Sequence, residues 1–234
     1  MTPAILPADL AAALEATWPP AAAWRLGPWR LRDGAGGGKR VSAATVEGDW
    51  TPADIDAAAA AMARPLFLLR PEDAALDQAL AARGYALIDP VVAYAAPTAA
   101  FTAPGFFTTF PHWPPLTIAR DLWAAGHIGP ERIAVMHRVT GPRTAILSRS
   151  ADRATGVAFV AVHGSVALLH ALEVAQANRR QGSAQNILRA AAHWARDHGA
   201  DRLALVVTEA NQPARALYAS QGMRVVGQYH YRQK

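Results

Sequence analysis

A run of apolar residues, Val166–Val174, gives way to a polar turn, Arg179-Arg180-Gln181-Gly182-Ser183-Ala184, and a helical pattern over Ser183–His198 begins at once. A strand, a glycine turn and a helix in direct succession restrict the chain severely, because the turn must deliver the start of the helix to the end of the strand. The first N–H groups of a helix have no intrahelical acceptor, and they carry the positive end of its dipole. Converging on one spot, they form a seat for an anion such as a phosphate, with no metal required. Gly182 lets an anion approach the backbone where a β-carbon would stand in its way. Ser183 and Ala184 keep the turn open. Arg179 and Arg180 add charge, and their lack of neighbouring acids favours an anionic ligand over an internal ion pair. Along the helix Ile187, Leu188, Ala191, Trp194 and Ala195 fall on one face near the 3.6-residue period, and Gly199 follows as its stop.

The rest of the chain alternates strand and helix patterns around this unit. In the second half, Leu116–Ala125 reads as a helix, and Arg132–Val139, Thr144–Arg149 and Gly156–His163 read as consecutive antiparallel strands. After the glycine turn come a strand at Arg202–Thr208, a helix at Gln212–Gln221 and a strand at Arg224–Tyr231. The first half opens with a short helix, Leu10–Thr17, before Pro19-Pro20. Two strands, Trp29–Arg32 and Arg40–Thr45, are expected to flank a glycine-rich hairpin, Asp33–Lys39. Thr51-Pro52-Ala53-Asp54 is a helix start with a hydroxyl cap and proline at the first helical position. A strand (Leu66–Leu69), a helix (Glu72–Arg83) and a strand (Ala86–Ala95) follow. Both halves therefore end in strand, helix, a Gly-Tyr or Gly-Met pair, and strand. A proline-rich loop containing Phe106, Phe107 and Trp113 separates them.

Composition excludes several classes of function. The chain has no cysteine, hence no disulfide, thiolate metal site or cysteine nucleophile. No run approaches the roughly 20 apolar residues that cross a bilayer, and the opening residues lack a basic segment followed by a long apolar one. A cytoplasmic protein is the expectation. A net charge of +5 invites a nucleic-acid reading, but the charge is almost all arginine and is scattered rather than striped, so nucleic acid is not the expected partner. Gly34–Arg40 lacks the glycine and hydroxyl positions of a phosphate loop and reads as a flexible hairpin. The eight histidines form no metal motif, since His193 and His198 fall on different helix faces, and no metal is expected. No Gly-x-Ser-x-Gly elbow occurs. His170 differs from the others by lying within a strand just before the glycine turn. With a period of two, His170, Leu172 and Val174 share one face and Glu173 points to the other. Imidazole, with its pKa near ~6.5, is suited to taking a proton at neutral pH.

Arg-x-x-Gly-x-Ala between strand and helix resembles the coenzyme A signature of the GNAT superfamily of acyl-CoA N-acyltransferases. Val207-Thr208-Glu209-Ala210-Asn211, followed by Ala216-Leu217-Tyr218 and Gly222, resembles that family's next strand and helix. The resemblance runs from about Arg143 to Arg232. The start and end, Trp18-Pro19, Gly27–Arg32, Lys39-Arg40 and Tyr229–Arg232, are similar to those of uncharacterised bacterial acetyltransferases. The resemblance implies a mixed α/β (α+β) GNAT fold: a central, mostly antiparallel twisted sheet flanked by helices, in two GNAT-like halves. Residues 1–100 would be a degenerate half that binds no cofactor, and residues 101–234 the catalytic domain. A monomer is compatible with this arrangement, since tandem halves can mimic a dimer. It further implies transfer of an acetyl group from acetyl-CoA to a primary amine by direct attack in a ternary complex. The amine would be a small molecule or a peptide. Leu172, Glu173 and Val174 would line the pantetheine arm, and Arg179, Arg180, Gln181, Gly182, Ser183, Ala184 and Gln185 would hold the pyrophosphate. Asn211 and Tyr218 would complete the cofactor site. By the same resemblance His170 is the base, with Glu173 and then Glu209 as alternatives, Tyr218 protonates the departing thiolate, and the Val174 N–H polarises the carbonyl. The acceptor is expected between the halves, near the Phe106–Trp113 loop. The competing reading is a non-catalytic acyl-CoA-binding regulatory module, in which His170 and Tyr218 are structural.

Overall fold

The computed structural model describes residues 7–234; the segment 1–6, from which the absence of a leader was read, lies outside them. Chain order begins with helix α1 (Pro7–Thr17), strands β1 (Ala22–Leu26), β2 (Trp29–Asp33) and β3 (Thr45–Val46), helix α2 (Pro52–Ala60), strand β4 (Leu66–Leu69), helix α3 (Ala74–Ala82) and strand β5 (Ala86–Pro97). It continues with β6 (Thr109–His112), α4 (Thr117–Ala125), α5 (Pro130–Arg138), β7 (Arg143–Ser150), β8 (Arg153–His163), β9 (Val166–Val174), α6 (Ser183–Asp197), β10 (Arg202–Thr208), α7 (Gln212–Ser220) and β11 (Arg224–Gln233).

Among the described residues β1, β2 and β3 make a small antiparallel sheet, and the other eight strands make one large sheet in the order β4-β11-β5-β10-β9-β8-β7-β6. Every pairing in the large sheet is antiparallel except β9 with β10, where Arg202–Leu205 run beside Val166–Leu169. One face carries α6 and α7 over an apolar cluster that includes Ile187, Leu188, Leu169, Leu205 and Tyr218. The other face carries α4, through Trp123, and α5 over Phe159 and Val157, and α1 over Leu168, Ala204 and Ala93. A fully buried side chain of this size contributes roughly 1.5–3 kcal/mol, so the sheet is clamped from both sides.

The order of the middle strands is unusual. β5 does not touch β4, the strand before it, and β11 does not touch β10. Each half's last strand is inserted between the other half's last two: β11 pairs with β4 and β5, and β5 pairs with β10 and β11. The two strand–helix–strand endings read from the sequence thus exchange their final strands reciprocally. The first half also repeats the second in miniature, with antiparallel β1-β2-β3 and then a single parallel bridge, Ala44 to Phe67, leading into β4.

Three expectations need correction. Arg132–Val139 is not a strand; Pro130 and Glu131 start a helix there, and Val135, Met136 and Val139 are buried at helical spacing. Arg40–Thr45 begins in a 3-10 turn (Lys39–Val41), and it pairs only through the Ala44–Phe67 bridge and, with β2, at Thr45–Val46. The longer pairing of β2 is with β1, through a tight turn at Gly27-Pro28, and β3 meets it only at Trp29 and Arg30. The glycine-rich segment is neither a hairpin nor loose. It is pressed against α5, where a β-carbon on Gly37 would come within 2.4 Å of Val135 Cγ2. The proline-rich connection contains a further strand, β6, at the sheet edge. The remaining elements agree with the sequence reading to within a few residues.

Candidate active site

The parallel pairing of β9 with β10 stops at Leu169 and Leu205. Beyond that point residues 170–174 pair only with β8, and residues 206–208 only with β5. The two strands splay, and each exposes an unpaired backbone edge to the gap. A bulge in β9 opens it. Val157 faces Glu173 and Phe159 faces His170, so Ala171 and Leu172 together oppose Ala158, and Ala171 takes a left-handed φ of 52°. The Trp123 indole N–H donates to the Ala171 carbonyl at 2.8 Å, holding the bulge from α4.

The bulge also reverses the strict alternation assumed from the sequence. Leu172 packs toward α6, while the Glu173 side chain lies against Gly126 at the end of α4, on the same side of the sheet as His170. His170 and Glu173, expected on opposite faces, are therefore together.

At the far end of β9, Gly182 caps α6 in the left-handed region at φ 86°, and a β-carbon there would meet open space. No side chain caps this helix, so its first amides keep their hydrogen-bonding capacity. The equivalent helix of the first half is closed: Thr51 and Asp54 form a reciprocal capping box, and the Thr51 hydroxyl and N–H bonds hold the Asp54 carboxyl below its ordinary range. One helix start holds its own carboxylate and the other holds none. Ser183, at the first helical position, donates its hydroxyl to Thr155 and anchors the turn to β8. Arg180 adopts φ 61° at the exposed tip. Arg179 departs from expectation, because it donates to Glu173 Oε1 at 3.1 Å and to the Val174 carbonyl. Glu173, six residues back along the chain, becomes its neighbour once the turn folds over.

His170 is buried. Its Nε2 lies 2.9 Å from the Thr17 hydroxyl, and that hydroxyl spends its single hydrogen on the Ala13 carbonyl. Nε2 must therefore be the donor, and the tautomer leaves Nδ1 with a free lone pair, buried and unpartnered. Burial, and secondarily the Arg40 charge, keep its pKa well below 6.5, so the ring is neutral at physiological pH. Trp18 lies 4.9 Å from the imidazole, centroid to centroid.

Tyr218 sits in α7 against Tyr94 and the α6 face, and burial pushes its pKa up to about 12, so the phenol keeps its proton. Asn211 is the N-cap of α7, its Oδ1 accepting from the Ala214 N–H. Glu209 is exposed past the end of β10; Leu172 and Val174 lie on the part of β9 that does not pair with β10, and Gln181, Ala184 and Gln185 lie in the glycine turn and the first turn of α6.

A cavity of about 340 Å³ opens where the strands part, walled by Ala171, Val206–Thr208, Trp18, Gly37–Arg40, Arg132 and the two tyrosines 229 and 231. The sequence reading gave none of these residues a role at the site. Trp18, Lys39-Arg40, Tyr229 and Tyr231 entered it only as a likeness of the chain's start and end, and nothing in linear order links them to Ala171. Phe106 and Phe107 lie elsewhere, exposed and tied to α6 through Gly105 and Asn186, while Trp113 is packed against Phe159 and His137. Among the described residues no cluster of three potential metal ligands occurs, and no helix is long and apolar enough to cross a membrane.

The site is thus a mixed sheet split by a bulge, with an uncapped glycine turn at the end of the bulged strand. Residues 131–223 match the model of the Acetyltransferase (GNAT) family, and this part of the chain is a GNAT domain. Over 80 residues the chain is 31% identical to an uncharacterised N-acetyltransferase, YobR, of Bacillus subtilis (strain 168); the match spans 34% of this chain and about a third (32%) of that protein. The fold is similar over nearly the whole chain to a GCN5-related N-acetyltransferase from Kribbella flavida, with TM-score 0.70, 18% identity, and coverage of 97% of this chain and 95% of that one. It is also similar to a tandem GNAT protein from the clavulanic acid biosynthesis pathway, with TM-score 0.61, 15% identity, and coverage of 100% and 90%.

Proposed function

We propose that this protein transfers an acetyl group from acetyl-CoA to a primary amine, and that the reaction takes place in the gap between β9 and β10. The observation that carries the reading is the pairing of an unpartnered strand edge, residues 170–174, with an uncapped helix start at Gly182 on the same strand–turn–helix unit. Pantetheine amides complement such an edge, and a pyrophosphate complements the free amides of Gly182–Gln185 with Arg180 alongside. On this reading residues 1–100 are a degenerate second unit whose corresponding helix start is filled by Asp54.

The amine attacks the thioester carbonyl, the Val174 N–H stabilises the oxygen as it gains charge, and the tetrahedral adduct collapses with the thiolate leaving. Tyr218, kept protonated by burial, gives its proton to sulfur. The ammonium must first lose a proton, and the bulge supplies two groups on one face for this. His170 Nδ1 has an unused lone pair on a neutral ring and accepts the proton through water; Glu173, less buried, is the alternative. Holding both reactants together supplies much of the acceleration.

Calorimetry with acetyl-CoA, followed by thiol release against a panel of amines, tests the reading. We expect saturable binding, and thiol release with at least one amine that falls at least ~10²-fold in Tyr218→Phe while binding persists. Absence of binding at millimolar acetyl-CoA refutes the cofactor site. Binding without thiol release from any amine would favour a regulatory acyl-CoA-binding module.

A further inference from the structure

Resting on the transferase reading, we infer that the acceptor amine also carries a carboxylate, and that Arg40, seated on Trp18, binds it. The cavity at the strand gap is the space an acceptor must occupy to reach a thioester beside Ala171. Its volume of about 340 Å³ suits a small molecule. Three cations, Lys39, Arg40 and Arg132, line it against one carboxylate, Asp89. That carboxylate is already paired with Lys39. Among the described residues neither Arg40 nor Arg132 has an acidic partner within salt-bridge distance.

Arg40 is the more telling of the two. Its guanidinium stands over the Trp18 ring, 5.6 Å from the centroid, and its Nη1 is buried without any hydrogen-bond partner. A desolvated guanidinium nitrogen with nothing to donate to is costly. The contact with the indole holds the guanidinium in place, leaving it available to a planar oxyanion through paired N–H bonds. The other arginines close by are committed: Arg32 donates to Glu15, the Ala43 carbonyl and Thr45, and Arg30 reaches Glu15. An amine with no anion would enter this cavity against a net positive wall. An amine bearing a carboxylate turns the same charge to advantage, placing the acid on Arg40 and the nitrogen toward the strand gap.

Matched pairs differing only by the carboxylate test this: leucine against isoamylamine, and phenylalanine against phenethylamine, with 1-aminoalkylphosphonates as a third arm. Two readouts are taken. One is thiol release from acetyl-CoA; the other is calorimetric binding of each probe to protein saturated with CoA, which reports even if no transfer occurs. We expect the carboxylate member of a pair to bind at least ~30-fold more tightly and to be the better acceptor. In Arg40→Gln that preference should collapse through a rise in KM rather than a fall in kcat, and Arg40→Lys should restore part of it. Unaltered acetyl-CoA affinity and Tm in both variants would show that the fold is kept. Equal binding of the two members, or a preference that survives Arg40→Gln, overturns the inference. A preference for the phosphonate overturns the carboxylate assignment. Loss of thiol release with carboxylate-selective binding retained would refute the transferase reading and leave this one standing.

Discussion

At the scale of single residues, His170 shows how burial turns a titratable group into a neutral one. The Thr17 hydroxyl is spoken for by Ala13, so the ring is locked as the Nε2–H tautomer, and Trp18 and Phe159 pack beside it. The consequence for stability has a definite sign. The folded pKa lies below the unfolded value of 6.5, so the unfolded chain takes up the proton first as pH falls. Stability from the neutral ring is complete above pH 6.5 and declines as pH drops from there toward the folded pKa. Thermal unfolding followed from pH 8 to 5 should show this decline in the wild type and a shallower slope in His170→Gln. Equal slopes would mean that the imidazole is not held neutral. The residue's strand and position were readable in the sequence. Its relation to Glu173 was not, because a bulge adds one residue to β9 and nothing in the alternation of Leu, His and Ala announces that extra residue.

At the scale of elements, the last strand is fastened by one polar cluster. Asp77 on α3 accepts from Arg232 at 2.7 and 3.0 Å and contacts His230 at 2.7 Å, and Arg232 also donates to the Tyr85 carbonyl. The Arg232 bonds, followed by His230, hold the Asp77 pKa at about 2. Because that value is below the unfolded 3.8, the contribution is present above pH 3.8 and is lost as pH falls toward 2. Asp77→Asn should cost about 1–2 kcal/mol at neutral pH after allowance for solvent screening, with the deficit vanishing near pH 2. Chemical denaturation at pH 7 and near pH 2 measures both. A variant as stable as the wild type at pH 7 would remove this cluster from the account of how β11 is held. Element types were mostly legible from period and caps, as at Thr51–Asp54 and Gly182. Arg132–Val139 misled because its apolar residues, Ile133, Val135, Met136 and Val139, satisfy both a strand and a helical pattern over so short a span. Pro130, favourable at a helix start, was the decisive signal.

At the scale of the whole molecule, the reciprocal insertion of β5 and β11 means that neither half closes its own sheet. Residues 101–234 alone would leave β10 without the strand that covers it from Val91 to Pro97, and β11 without either neighbour. Exposed edges of that kind associate or aggregate rather than persist. We therefore expect residues 101–234 expressed alone to be unstable or oligomeric. Coexpression with residues 1–100 should restore a one-to-one complex with the intact chain's circular dichroism and Tm within a few degrees. A stable monomer of 101–234 with native melting would refute the exchange. The gap between β9 and β10 depends on the same insertion, since Val91 of β5, Gly37–Arg40 and Trp18 come from the first half and wall its cavity.

Sequence alone determined what is local in this protein. The strand, glycine turn and helix from Val166 to Asp197, the uncapped helix start and the cap at Asn211 follow from short-range sterics and hydrogen bonding, which act between residues a few positions apart. Tertiary structure decided which strands become neighbours, where the bulge falls, that Arg179 meets Glu173, and that Arg40 and Trp18 stand beside Ala171. Except for the Arg179–Glu173 pair, six residues apart and joined only once the turn folds over, those are contacts across tens to more than a hundred residues, selected by the burial of a whole sheet between two helical layers, and no local period encodes them.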